Sequence, residues 1–140
     1  MVASDEITRE ELLYEVRGLC MRIHRQFGSG LLEKAYQRIL AAALVKSGHK
    51  VETEVSIPIE FEGIVINDAF RADLIVDDKL IIELKAVEKM SNAYFKQLGT
   101  YLVLSGKPWG FMVNFQNSNL MNGMYDLSLD KVKSKYYREE

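Results

Sequence analysis

The chain has 140 residues, 48% of them hydrophobic and 27% charged, with two prolines and nine glycines; this balance excludes a disordered or fibrous chain and fits one packed domain over residues 1–140. The formal net charge is −2, so global charge gives no sign of a nucleic-acid binder and any phosphate-binding surface has to be local. Cys20 is the only cysteine and cannot form an internal disulfide, residues 1–6 are acidic and polar without a leader pattern, and no run of about 18 apolar residues occurs; the expectation is a cytoplasmic protein outside the membrane.

Thr8 followed by Glu11 reads as a capping box, and Leu12, Leu13, Val16, Leu19, Cys20, Ile23 and Phe27 then recur at helical spacing, which predicts a first helix over residues 9–26. Gly28, Ser29 and Gly30 break it. Leu32, Ala35, Tyr36, Ile39, Leu40, Ala43 and Leu44 form a second helical stripe that ends by Gly48. From Val51 the period becomes two, and Pro58, which has no ladder donor, puts this strand at a sheet edge. Glu62-Gly63 and Asn67-Asp68 read as turns, leaving two short strands at residues 64–66 and 69–76.

Asp77-Asp78-Lys79 is a polar break before residues 80–86, so 69–76 and 80–86 form an antiparallel hairpin whose second arm, with Leu80, Ile81, Ile82 and Leu84, is apolar on both faces like a covered central strand. Ser91 caps a third helix that runs to Ser105, Gly106 and Pro108 stop it, and residues 109–115 read as another strand. Beyond Gln116 only a weak apolar stretch, residues 124–132, stands out. Residues 1–7 and 133–140 are expected to fray.

The chemistry concentrates on the hairpin. Glu83 and Lys85 are two apart and share a strand face, and a turn centred on Asp78 sets Asp73 directly opposite Glu83. Two carboxylates at cross-strand distance repel unless a cation lies between them or one keeps its proton. A hard divalent ion such as Mg2+ meets that need, and an adjacent amine can hold a phosphate oxygen. The competing reading is a solvated strand face whose charges neutralise one another, with Asp73 a bystander; spacing alone leaves both open.

Asp73, nine residues and then Glu83-Leu84-Lys85 resembles the D…ExK half of the PD-(D/E)XK nuclease motif. Upstream, Gly30-Leu31-Leu32-Glu33-Lys34-Ala35-Tyr36 resembles the signature of the GxxExxY protein family, a small group within that superfamily, and the segments 24–30 and 70–74 are similar to its flanking stretches. Downstream, Gln97-Leu98-Gly99-Thr100-Tyr101 is similar to the Gln-x-x-x-Tyr helix motif of RecB-like nucleases, and Val113-Asn114-Phe115 to the family's closing strand. The resemblance covers about residues 12–116. It departs at Tyr94-Phe95-Lys96, where the family carries a histidine, and at Met121-Asn122-Gly123-Met124, where a basic motif is expected.

The resemblance implies a restriction endonuclease-like α/β fold, a central mixed sheet flanked by helices. It implies Mg2+ or Mn2+ held by Asp73, Glu83 and the Leu84 carbonyl, with Glu33 reaching the ion from the second helix. Lys85 would be the catalytic lysine, and Gln97 and Tyr101 would orient it or contact substrate, as would Tyr36. Tyr36 and Tyr101 serve equally as core aromatics, and the lesser alternative for Glu33 is a favourable charge at a helix N-terminus.

Two functions follow. One is a metal-dependent endo- or exodeoxyribonuclease that hydrolyses phosphodiester bonds of DNA. The other is a catalytically silent binding or regulatory module, since fold does not determine function. Arg22, Arg25, Lys34, Lys85, Lys89 and Lys96 are the candidates for a basic lane, although their even spread also fits a solvated surface. A homodimer would suit a compact nuclease that has to span two strands.

Overall fold

The computed structural model describes residues 6–136. Helix α1 (Arg9–Phe27) opens on the expected capping box, with the Glu11 amide donating to the Thr8 hydroxyl at 3.1 Å and the Thr8 amide to the Glu11 carboxylate at 3.4 Å. It ends at Gly28, whose φ of 72° suits a residue without a Cβ. Helix α2 (Glu33–Lys46) follows, then strands β1 (Val51–Phe61), β2 (Ile64–Val76) and β3 (Leu80–Lys85), helix α3 (Asn92–Ser105), and strand β4 (Trp109–Asn114). A 3-10 turn (Leu120–Gly123), strand β5 (Met124–Ser128) and helix α4 (Leu129–Tyr136) complete the described chain.

The five strands form one sheet in the order β1-β2-β3-β4-β5, antiparallel throughout except for the β3–β4 pair, which α3 connects in parallel. Alternation assigns the faces. Leu80, Ile82 and Leu84 of β3 join Leu74, Val76, Phe111 and Val113 beneath the apolar stripes of α1 and α2. Ile81 joins Ile75 and Met112 against Leu98, Tyr101 and Leu102 of α3 and Val132 of α4. Glu83 and Lys85, in phase with Ile81, therefore belong to the α3 side. The mixed sheet with helices on both faces has the expected fold class, β3 is the covered central strand, and β1, with its proline, is an edge.

Two expectations are corrected. Asn67-Asp68 is no turn: β2 is continuous from Ile64 to Val76, and the register passes from Ile57↔Phe70 to Ile59↔Ile66, two residues on β1 against four on β2. The polar pair is extra chain in a bulge, which has the same local composition as a turn. The stretch after Gln116 is ordered into β5 and α4, because pairing of Met124–Ser128 with β4 and burial of Val132 supply a stability that a weakly periodic segment does not reveal. Ile7 is packed in the core and residues 133–136 continue α4; residues 1–5 and 137–140, where fraying was also expected, lie outside the described part.

Candidate active site

The β2–β3 ladder runs through Val76↔Leu80, Ile75↔Ile81 and Leu74↔Ile82, and its next rung would join Asp73 to Glu83. There side chains replace backbone. The Asp73 amide donates to Glu83 Oε2 at 2.7 Å and the Leu84 amide donates to Asp73 Oδ2 at 2.9 Å. On its other side β2 also skips a rung at Asp73, between Thr53↔Leu74 and Val55↔Ala72, where Glu54 of β1 takes a φ of 49°. This double interruption turns the Asp73 carboxyl toward β3 and lets the two carboxyls hydrogen-bond to each other.

Glu83 is only 4% exposed. Burial, and then the neighbouring charge of Asp73, push its carboxyl up to about 8; burial also raises Asp73, against the Leu84 amide and the charge of Lys85, which lower it. Both shifts favour retention of a proton by the pair. Glu33, the first residue of α2, is exposed, and its carboxylate accepts from the Ala86 amide just beyond β3. Partial burial raises it, Lys85 opposes, and Asp73 adds to the rise. The charge of Lys85 thus acts on Asp73, Glu83 and Glu33 alike, so three acids remote in sequence surround one amine.

Lys85 is half-buried, its Nζ lying 4.5 Å from the centre of the Tyr94 ring. Tyr94 occupies the segment where the family's histidine was expected, and about two turns later on the same helix Tyr101 is buried beside the acids. Its phenol accepts from the Arg71 amide, and burial, with the charges of Glu83 and Asp73, raises it. Gln97, between the two tyrosines in sequence and one helical turn from each, is exposed and makes no hydrogen bond among the described residues. The backbone of Leu84 lies at the acids while its side chain is buried on the α1–α2 side.

Tyr36 stands apart. It is fully buried, stacks on Phe115 at 4.2 Å between ring centres, donates to the Gly28 carbonyl at 2.6 Å and accepts from the Leu31 amide at 3.1 Å. With no accessible surface, it ties down the loop that leads into Glu33, which a substrate contact could not do. His49 is likewise a linker, with Asp77 on Nδ1 at 2.7 Å and Glu15 on Nε2 at 3.1 Å.

Sequence reasoning missed three supports. Gln37, buried one turn after Glu33, donates to the Asp73 carbonyl at 3.4 Å. Asn114, paired in register with Lys85, accepts from the Val87 amide at 3.1 Å and donates to the Val87 carbonyl at 2.8 Å, which fixes the chain leaving β3. Tyr94 holds the lysine. A polar side chain inside an apolar stripe was the available signal for the first two.

Among the described residues no three His, Cys, Asp or Glu side chains form a ready-made metal cage. The donor set nonetheless fits a hard divalent ion: oxygen ligands only, two of them on a buried pair that repel each other without a cation, and a third acid at the same strand end.

The family model described as the PD-(D/E)XK nuclease superfamily matches residues 10–125, and the chain belongs to that superfamily. Its members generally use divalent metals. No curated protein matches the chain. Among solved structures it is similar to the crystal structure of SSO0001, with 25% identity and a TM-score of 0.52 over 85% of this chain and 62% of that one, so it spans less than two thirds of that protein. It is also similar to LHK-Exo, solved in complex with dAMP, with 19% identity and a TM-score of 0.46 over 94% of this chain and 76% of that one.

Proposed function

We propose that the chain is a divalent-metal-dependent nuclease that hydrolyses phosphodiester bonds of DNA by attack of water, with Mg2+ or Mn2+ as the ion. The observation that carries this reading is the buried Asp73–Glu83 carboxyl pair, under the charge of Lys85 together with Glu33. Asp73 and Glu83 would hold the ion, with the Leu84 carbonyl and Glu33 completing the oxygen set. A bound ion supplies charge against the phosphate and acidity to a bound water. Lys85 holds a non-bridging phosphate oxygen or takes part in activating the water, and Tyr94 keeps the amine over the site. Gln97, exposed on the same helix face, reaches the entering strand, while Tyr101 closes the site beneath Glu83. The narrower placement in the GxxExxY family rests on residues 30–36. The described helices include none long and apolar enough to cross a membrane. Cys20, buried with its thiol pushed up to about 12, suits a reducing cytoplasm without taking part in chemistry.

One observation favours the silent binding module: residues 51–70 carry five acids and no lysine or arginine, an unwelcoming surface for DNA. A panel of linear, nicked, flapped and branched DNAs with Mg2+ or Mn2+ separates the two. The nuclease reading expects cutting by the wild type and a loss on the order of 10^2-fold or more in Lys85→Ala, with the fold intact by circular dichroism. A panel left uncut at high enzyme concentration selects the binding module.

A further inference from the structure

The distal half of the β1–β2 hairpin leaves the body of the protein with its apolar side uncovered. Val55, Ile57, Ile59 and Phe61 share one side of β1 by alternation. Val55 and Ile57 lie under α3 with Phe70, but the next rungs, Ile59↔Ile66 and Phe61↔Ile64, extend past it. Phe61 is 64% exposed, Ile64 60% and Ile66 47%. Two acids, Glu62 in the turn and Asp68 in the bulge, accompany these apolar rungs, while Glu60 lies on the opposite side of β1, and neither Glu62 nor Asp68 makes an ion pair among the described residues. Contiguous exposed apolar surface with a charged rim is the mark of an interaction site.

A second surface has the opposite character. A cavity of about 520 Å3 opens between α3 and the β5–α4 segment, lined among others by Phe95, Leu127 and Val132 and by Lys96, Lys131 and Lys135; none of its lining residues is acidic. An acidic, apolar ribbon and a basic, apolar groove thus occur on one chain. Neither suits the other's obvious competitor, because the acids of the hairpin repel a phosphate backbone while its apolar rungs need cover that DNA does not provide.

We propose that this chain forms a two-fold dimer in which the hairpin tip of each copy docks in the α3–α4 groove of the other. The exchange is reciprocal, so each contact is made twice, and the roughly 800 Å2 per partner of a stable interface requires only about 400 Å2 at each hairpin and each groove. Phe61 and Ile64 meet Phe95 and Leu127, and Glu62 and Asp68 meet Lys96 and Lys131. The proposal is independent of nuclease chemistry, since no residue of either surface is one of the acids or the amine of the candidate active site.

Charge exchange tests it with the full chain. Sedimentation velocity at low salt should show a dimer for the wild type and at least a tenfold weaker association for Glu62→Lys/Asp68→Lys and, separately, for Lys96→Glu/Lys131→Glu, each with an unchanged circular dichroism spectrum. Mixing these two variants one to one makes both contacts complementary and should restore the dimer. The four-substitution chain should dimerise alone. A wild type that is monomeric at every concentration, a dimer indifferent to the reversals, or a mixture that stays monomeric overturns the proposal. So does an oligonucleotide that crosslinks to Lys131 in a chain showing no self-association, which would assign the groove to nucleic acid.

Discussion

Asp73 and Glu83 owe their proximity to a missing rung. In a regular ladder the Asp73 and Leu84 amides would bond to backbone carbonyls; instead the Asp73 amide holds the Glu83 carboxyl, the Leu84 amide holds the Asp73 carboxyl, and Gln37 takes the Asp73 carbonyl. The backbone donors orient the pair, but they do not balance its charge, and burial of two acids together is what drives Glu83 up to about 8. Glu83→Gln keeps an oxygen for the Asp73 amide and offers an N–H to the Asp73 carboxylate, so the metal-free variant should be more stable than the wild type at pH 7, on the order of 1 kcal/mol or more. Urea denaturation in chelator measures this, and calorimetric titration of Mn2+ should show the same variant losing the metal. A destabilised metal-free variant would mean that the pair is a structural hydrogen bond and not a strained ligand set.

At the scale of elements, His49 joins three: it follows α2, bonds Asp77 of the β2–β3 turn and reaches Glu15 of α1. Burial pulls its pKa down, but the bonds and charges of Asp77 and Glu15 outweigh this and leave it raised above 6.5. A raised folded-state pKa means that the native protein binds the proton more tightly than the unfolded chain. The resulting stability is fully present below about pH 6.5 and is lost as pH rises through the folded-state value. Thermal unfolding in chelator with Glu83→Gln as the background isolates the effect, and His49→Gln should flatten the slope above pH 6.5; an unchanged slope would remove His49 as its source. Tyr36 acts at the same scale, since its two hydrogen bonds fix the loop 28–31 and hence where α2, and Glu33 with it, begins. Gly123 of the 3-10 turn is required by approach: a Cβ there would stand 2.8 Å from the Asn114 carbonyl oxygen, in place of the basic motif that the family resemblance led one to expect.

Across the whole molecule the candidate basic lane comes apart. Lys34 is paired with Glu54 but its charge still reaches Glu33 and Asp73, Arg22 lines a groove on α1, and Lys96 lines the cavity between α3 and α4 on the other side of the sheet, which leaves Lys85 and Lys34 as the cations whose charge acts on both Asp73 and Glu33. With so few cations gathered at the site, DNA affinity measured in Ca2+ should fall only shallowly with salt, with a log–log slope of about −2. A slope of −5 or steeper by fluorescence anisotropy would reveal a phosphate track on a face the present reading leaves out.

The candidate site residues were legible because they break their local pattern: Glu83 and Lys85 are charges inside an otherwise apolar central strand, and the hairpin centred on Asp78 follows from period and turn chemistry, with Val76 opposite Leu80 as counted. The helices α1 and α2 and the edge position of β1 were equally local matters of capping, stripe and proline. What the sequence could not decide is where segments remote along the chain meet. Whether Asn67-Asp68 turns or bulges depends on whether β1 continues alongside; whether residues 124–136 order depends on the free edge of β4; and whether Glu33, Gln37, Tyr94 and Tyr101 gather at the acids depends on how α2 and α3 pack on opposite faces of one sheet. Local periodicity encodes which side of an element is buried, but only tertiary packing selects the partner that buries it, and an active site made of parts from four elements is a property of that selection.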